Sequence, residues 1–172
     1  MNADELSAQR REKDQYFKTS PHSPLSDEQQ AAFTGLRYYP PNPALDLTVT
    51  VERVPHDGSE IIIETTTEDT RRYRRYGEFQ FTVDDQPVRL TIYEAPHGFF
   101  LPFVDANAGV ETYPAGRYLE PEDLGGNEFQ VDFNLAYNPF CAFGDGWSCP
   151  ITPAENRLKV AIRAGEMNPV GD

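Results

Sequence analysis

From residue 45 to residue 51 the chain alternates apolar and polar side chains with period two, and strand-like segments recur at 60–66, 72–83 and 88–95. That period places alternate side chains on opposite faces of an extended strand. The β-branched and aromatic content of these segments suits a pleated, half-buried surface. Turn formers punctuate them. Val83-Asp84-Asp85-Gln86 reads as a hairpin connection, and His56-Asp57-Gly58-Ser59 as another. Further short strands are expected at 99–104, 117–119, 127–133 and 158–164. Short strands broken by turns, with helical signals only near the N-terminus, predict an all-β fold. It is expected to be mainly an antiparallel sandwich or partly open barrel with one or two short N-terminal helices.

The helical signals are local. Residues 2–17 contain no Gly or Pro and run from acidic to basic. Ser26 with Gln29 makes a capping box for a second short helix, with Phe33 as its buried anchor and Gly35 as its end. The expected division is a helical arm at 1–35 and a single β-rich domain at 36–172. A chain of this length can bury roughly 70% of the surface of its unfolded form, so a core needs neither metal nor disulfide. With 11 Phe and 9 Tyr, that core should be aromatic.

Net charge is −13, and only Lys13, Lys18 and Lys159 are lysine. Such a surface repels nucleic-acid phosphates and anionic membranes, so neither is expected as a partner. Abundant carboxylates that keep a surface hydrated at high salt suggest a halophilic source. No apolar run approaches the ~20 residues of a membrane span. The polar N-terminus has no apolar leader, so a cytoplasmic location is expected.

Motifs with known chemistry are missing: there is no Walker A loop, G-x-G-x-x-G, H-E-x-x-H, EF-hand or G-x-S-x-G. Cys141 and Cys149 flank a Gly144-Asp145-Gly146 turn. Their spacing leaves three readings open: buried thiols, a disulfide, or half of a metal site that matches no common zinc pattern. No cofactor or metal is expected. His22, His56 and His97 all fall in linkers or turns, and no spacing pairs them with a nucleophile. The stripe Arg71-Arg72-Tyr73-Arg74-Arg75-Tyr76 reads first as arginines paired with carboxylates, and second as an anion site. In Asp132-Phe133-Asn134-Leu135-Ala136-Tyr137-Asn138-Pro139, the Asn-Pro step forces an extended or turned backbone. Asn134, Tyr137, Asn138 and Asn156 either line a polar pocket or satisfy the backbone of an irregular loop.

The runs Tyr113-x-x-Gly116-Arg117-Tyr118-Leu119, Asp132-Phe133-Asn134-x-Ala136-Tyr137-Asn138-Pro139-x-Cys141-Ala142, Cys149-Pro150, Pro153-x-Glu155-Asn156-x-Leu158 and Ile162-x-Ala164-Gly165-Glu166 resemble the family called domain of unknown function 1684. The likeness covers the C-terminal half tightly. It implies no activity, but implies that Arg117, Asn134, Tyr137, Asn138, Cys141, Cys149, Glu155 and Asn156 belong to one local arrangement. The expected function is a small-molecule or peptide binding module around the 134–149 loop, with Arg117 serving an anionic group. Two alternatives stand beside it: a hydrolase-like enzyme using Cys141 or a carboxylate such as Asp132 or Glu155, and a structural or interaction protein without a ligand.

Overall fold

The computed structural model describes residues 1–55 and 60–169. The hairpin expected at 56–59 lies outside the described residues. Helix α1 (Ala3–Thr19) starts at Asn2, whose side-chain oxygen accepts from Asp4 N and Glu5 N, with acids in its first turn and Lys18 in its last. Helix α2 (Asp27–Ala32) has the reciprocal Ser26–Gln29 capping box. Phe33 packs with Phe17, Ala142 and Phe143 in a small cluster under the arm.

Among the described residues nine strands follow: β1 (Asp46–Thr50), β2 (Glu52–Arg53), β3 (Glu60–Glu64), β4 (Thr70–Val83), β5 (Gln86–Ala95), β6 (Gly98–Phe103), β7 (Arg117–Leu119), β8 (Glu122–Gly125) and β9 (Glu128–Asp132). They form a three-stranded sheet ordered β1-β9-β8 and a six-stranded sheet ordered β2-β4-β5-β6-β7, in which β3 also pairs with β4. Every strand pair is antiparallel. The fold is therefore mostly β, with two unclosed sheets and N-terminal helices. Phe79, Phe81, Leu90, Ile92, Leu101 and Phe103 of the larger sheet meet Val49, Phe129 and Val131 of the smaller one, with Phe133 between. Burying each such side chain contributes roughly 1.5–3 kcal/mol.

The Val83–Gln86 hairpin closes as expected. Asp84 and Asp85 both take positive φ (49° and 64°), the backbone that twists with a two-residue turn. Two short strands went unseen, β2 and β8; both are exposed along their whole length, so neither carries a buried apolar face. One expectation is corrected. Residues 158–164 form no strand, because their backbone groups bond to side chains and loop carbonyls instead of a ladder. Leu158 N donates to Val104 O, Ile162 N donates to Asp105 Oδ2, and the Ile162 and Ala164 carbonyls accept from Arg117.

A bulge in β4 decides what the larger sheet shows on each face. Arg75 lies opposite Tyr93 but Gly77 lies opposite Ile92, so Tyr76 is the extra residue. Tyr93 and Ile92 point to opposite faces, hence so do Arg75 and Gly77. Odd-numbered residues of β4 thus leave the core side at the bulge. Phe79 and Phe81 face the core, whereas Arg71, Tyr73 and Arg75 face outward.

Candidate functional site

On that outer face, a groove of about 290 Å³ is lined by Arg71, Tyr73, His97, Phe100, Tyr118, Glu120, Tyr137 and Pro150, with residues of the β5–β6 turn. Tyr73 stacks on Phe100 at 5.4 Å between ring centroids, and Phe100 meets Tyr118 edge-on at 4.9 Å. Tyr118 meets Tyr137 edge-on at 5.9 Å. The four rings form one continuous wall, an arrangement whose edge-to-face and offset contacts are individually favourable. Strand alternation explains it: Tyr73, Phe100 and Tyr118 are the outward residues of β4, β6 and β7, and Tyr137 arrives from the irregular loop through its backbone bridge to Tyr118.

The tips of Tyr118 and Tyr137 are anchored. The Tyr118 hydroxyl donates to the Pro150 carbonyl and the Tyr137 hydroxyl to the Glu120 carboxylate. Burial raises the pKa of both, and for Tyr137 the Glu120 bond raises it further. Burial likewise raises Tyr38 and Tyr93, the latter also bonded to Glu155. These hydroxyls stay protonated throughout the neutral range. The folded state keeps protons that the unfolded chain releases above its ordinary tyrosine pKa near 10. Stability is therefore whole below pH 10 and falls as pH rises beyond it. Absorbance at 295 nm in an alkaline titration should show a late cooperative step coincident with loss of far-UV dichroism. Smooth independent ionisation of all tyrosines near pH 10 would contradict this burial.

The wall next to the groove is a disulfide loop. Cys141 and Cys149 are bonded to each other, which settles the three readings and leaves Cys141 no thiolate for a hydrolase. A cross-link over so short a loop contributes about 2–3 kcal/mol, chiefly by restricting the unfolded chain. The loop is tied to the end of β3: Thr66 N donates to Cys149 O, Cys149 N donates to Thr66 Oγ1, and Thr66 Oγ1 donates to Trp147 O. Arg71 completes the attachment through the Ser148 carbonyl at 2.8 Å.

Of the residues expected at the site, Tyr137 lines the groove and the disulfide loop borders it. The others have different partners. Arg117 is on the core side of β7, 1% exposed, opposite in direction to its neighbour Tyr118. Its guanidinium lies over Phe103, donates to the carbonyls of Ile162, Ala164 and Glu166, and stands 3.6 Å from Asp105 Oδ2. Burial pushes its pKa down, opposed by Asp105. The structure thus commits Arg117 to holding the C-terminal segment and not to an anion in the groove. Asn134 accepts from Asn42 N and donates to Asn42 O and Asp132 Oδ1. Asn138 donates through its backbone to Glu166 and through its side chain to Met167 O. Asn156 accepts from Thr91 N and donates to Thr91 O and Pro102 O. Glu155 bonds Tyr93 and Arg75. Asp132 caps the turn at Asn134. Among the described residues no three His, Cys, Asp or Glu side chains come together as a metal-holding group, and no helix is long and apolar enough to cross a membrane.

The family model "Protein of unknown function (DUF1684)" matches residues 31–167. The chain belongs to this family. The match takes in all nine strands, the disulfide loop and the Arg117-bound segment. In the solved structures, the solution NMR structure of an uncharacterized protein of Haloarcula marismortui is similar, at 36% identity and a TM-score of 0.69 over 95% of this chain and 92% of that one. That likeness reaches into the N-terminal arm, outside the DUF1684 match. No curated protein matches the chain. The groove residues Arg71, Tyr73, His97, Phe100 and Glu120 were not legible as a site from sequence; the basic-aromatic stripe of β4 was the one signal pointing toward them.

Proposed function

We propose that this DUF1684 protein is a small-molecule binding module whose ligand lies on the aromatic wall of the outer groove. The observation that carries this reading is the convergence of Tyr73, Phe100, Tyr118 and Tyr137 with the exposed polar groups of Arg71 and His97 in one concavity. Ligand sites characteristically combine a mainly apolar lining with a few polar groups that fix orientation. At about 290 Å³ the groove suits a single ring with one substituent better than a folded peptide. A second cleft of about 190 Å³, between Leu119–Glu122 and Gln130–Asp132, is lined by carboxylates and apolar stems with no cation. It has fewer means of orienting a ligand. The net charge of −13 with three lysines favours an environment of high salt.

The test is a saturation-transfer NMR screen of single-ring fragments, with hits mapped on the amide spectrum. Hits should bind with Kd in the millimolar range, roughly −4 kcal/mol, and should shift Tyr73, Tyr118 and Tyr137. Tyr73→Ala, which removes the half-buried ring stacked on Phe100, should abolish them. Hits that map elsewhere, or that survive this substitution unchanged, would overturn the reading.

A further inference from the structure

Four arginines crowd the outer half of β4, and carboxylates face three of them. Arg72 lies 3.5 Å from Glu60, Arg75 bonds Glu155 at 2.9 Å, and Arg74 sits across the ladder from Glu60 on β3 and Glu94 on β5. Arg71 is different. Its partner across the ladder is Ile63, and the β4–β5 pairing begins only at Arg74. One terminal nitrogen donates to the carbonyl and hydroxyl of Ser148, both neutral, and Arg71 forms no ion pair among the described residues. Asp69 is engaged elsewhere, accepting from the hydroxyls of Thr65, Thr67 and Ser148. A guanidinium carries five donors in a planar fork. Arg71 therefore brings unspent donors and an unneutralised charge to the lining of the groove. The groove's own carboxylate, Glu120, already accepts from Tyr137.

We propose that the groove selects a small aromatic carboxylate, its ring against Tyr73, Tyr118 and Tyr137 and its carboxylate on the fork of Arg71. This assignment rests on the groove being the binding site. The planar fork matches a carboxylate with two parallel hydrogen bonds. A single negative charge also suffers least from the field of a protein of net charge −13, which disfavours phosphate dianions and polyanions. The exposed His97 is a second polar residue lining the groove.

Amide-detected NMR titrations with phenylacetate and with phenylacetamide, its neutral counterpart of nearly the same shape, separate the two levels of the argument. The expected result is tighter binding of phenylacetate, with shifts at Tyr73, Tyr118 and Tyr137. Arg71→Gln should weaken phenylacetate roughly tenfold or more, and Arg71→Lys by less, while phenylacetamide is unmoved by either. Equal affinities for the two probes, or an Arg71→Gln variant that binds phenylacetate as before, would overturn the anion assignment and leave the groove standing as a site. If neither probe shifts the groove amides, the groove reading fails and the assignment with it.

Discussion

Replacing Arg117 by methionine is expected to lower the unfolding free energy by about 3–5 kcal/mol, the loss typical of removing one partner from a buried charged network. Methionine fills much of the volume but donates nothing. The carbonyls of Ile162, Ala164 and Glu166 would lose their donor, and Asp105 would keep a buried charge supported only by Thr112 and the Ile162 amide. Lysine should recover only a fraction, since one ammonium cannot reach three divergent carbonyls as the guanidinium does. Urea unfolding of the two variants checks both statements. A loss below about 1 kcal/mol for Arg117→Met would mean that the tail holds without its clamp.

The second large effect concerns Asn156. Strands β5 and β6 pair only at the turn, through Tyr93–Ala95 and Gly98–Phe100. Beyond that they separate, and the Asn156 side-chain amide occupies the gap. It accepts from Thr91 N at 2.9 Å and donates to Thr91 O and Pro102 O at 2.9 and 2.8 Å. Asparagine presents the same donor and acceptor as a peptide group, so it substitutes for a missing ladder rung. Asn156→Ala leaves those groups buried and unpaired, at a cost of about 3 kcal/mol, or roughly 6–12 °C in Tm for a chain of this size. Asn156→Asp should be no better, because a carboxylate accepts but cannot donate to the two carbonyls. Hydrogen exchange at Thr91 would report the same loss locally, and an unchanged Thr91 protection factor in Asn156→Ala would refute the role.

These two residues also mark where sequence reading stops. Alternation in β4 and β5, the Asp84-Asp85 turn and the Ser26–Gln29 box were legible because each depends on neighbours in the chain. The bulge at Tyr76 was not, because it exists only relative to β5. Without it, Arg71 and Tyr73 would share a face with Phe79. Polar residues around the 134–149 loop were recognisable as a group, but residue type does not tell whether an amide meets a ligand or a carbonyl. In Asn134, Asn138 and Asn156 it meets backbone. Strand order put Arg117 and Tyr118 on opposite faces, so only the tyrosine reached the groove.

The ion pair between Lys13 on α1 and the buried Glu166 joins residues 153 positions apart in the chain. On a ribosome, which releases N-terminal residues first, α1 waits while 153 further positions are added before its partner exists. Phe17 waits as well, since Phe140 and Phe143, against which it packs, are also late residues. A nascent chain therefore holds α1 through early contacts, such as those of Phe17 with Phe33 and of Lys18 and Asp14 with residues 30–36, until those later residues are made. Residues 162–166, by giving Lys13 its carboxylate and Arg117 its carbonyls, act as the latch that ends that interval.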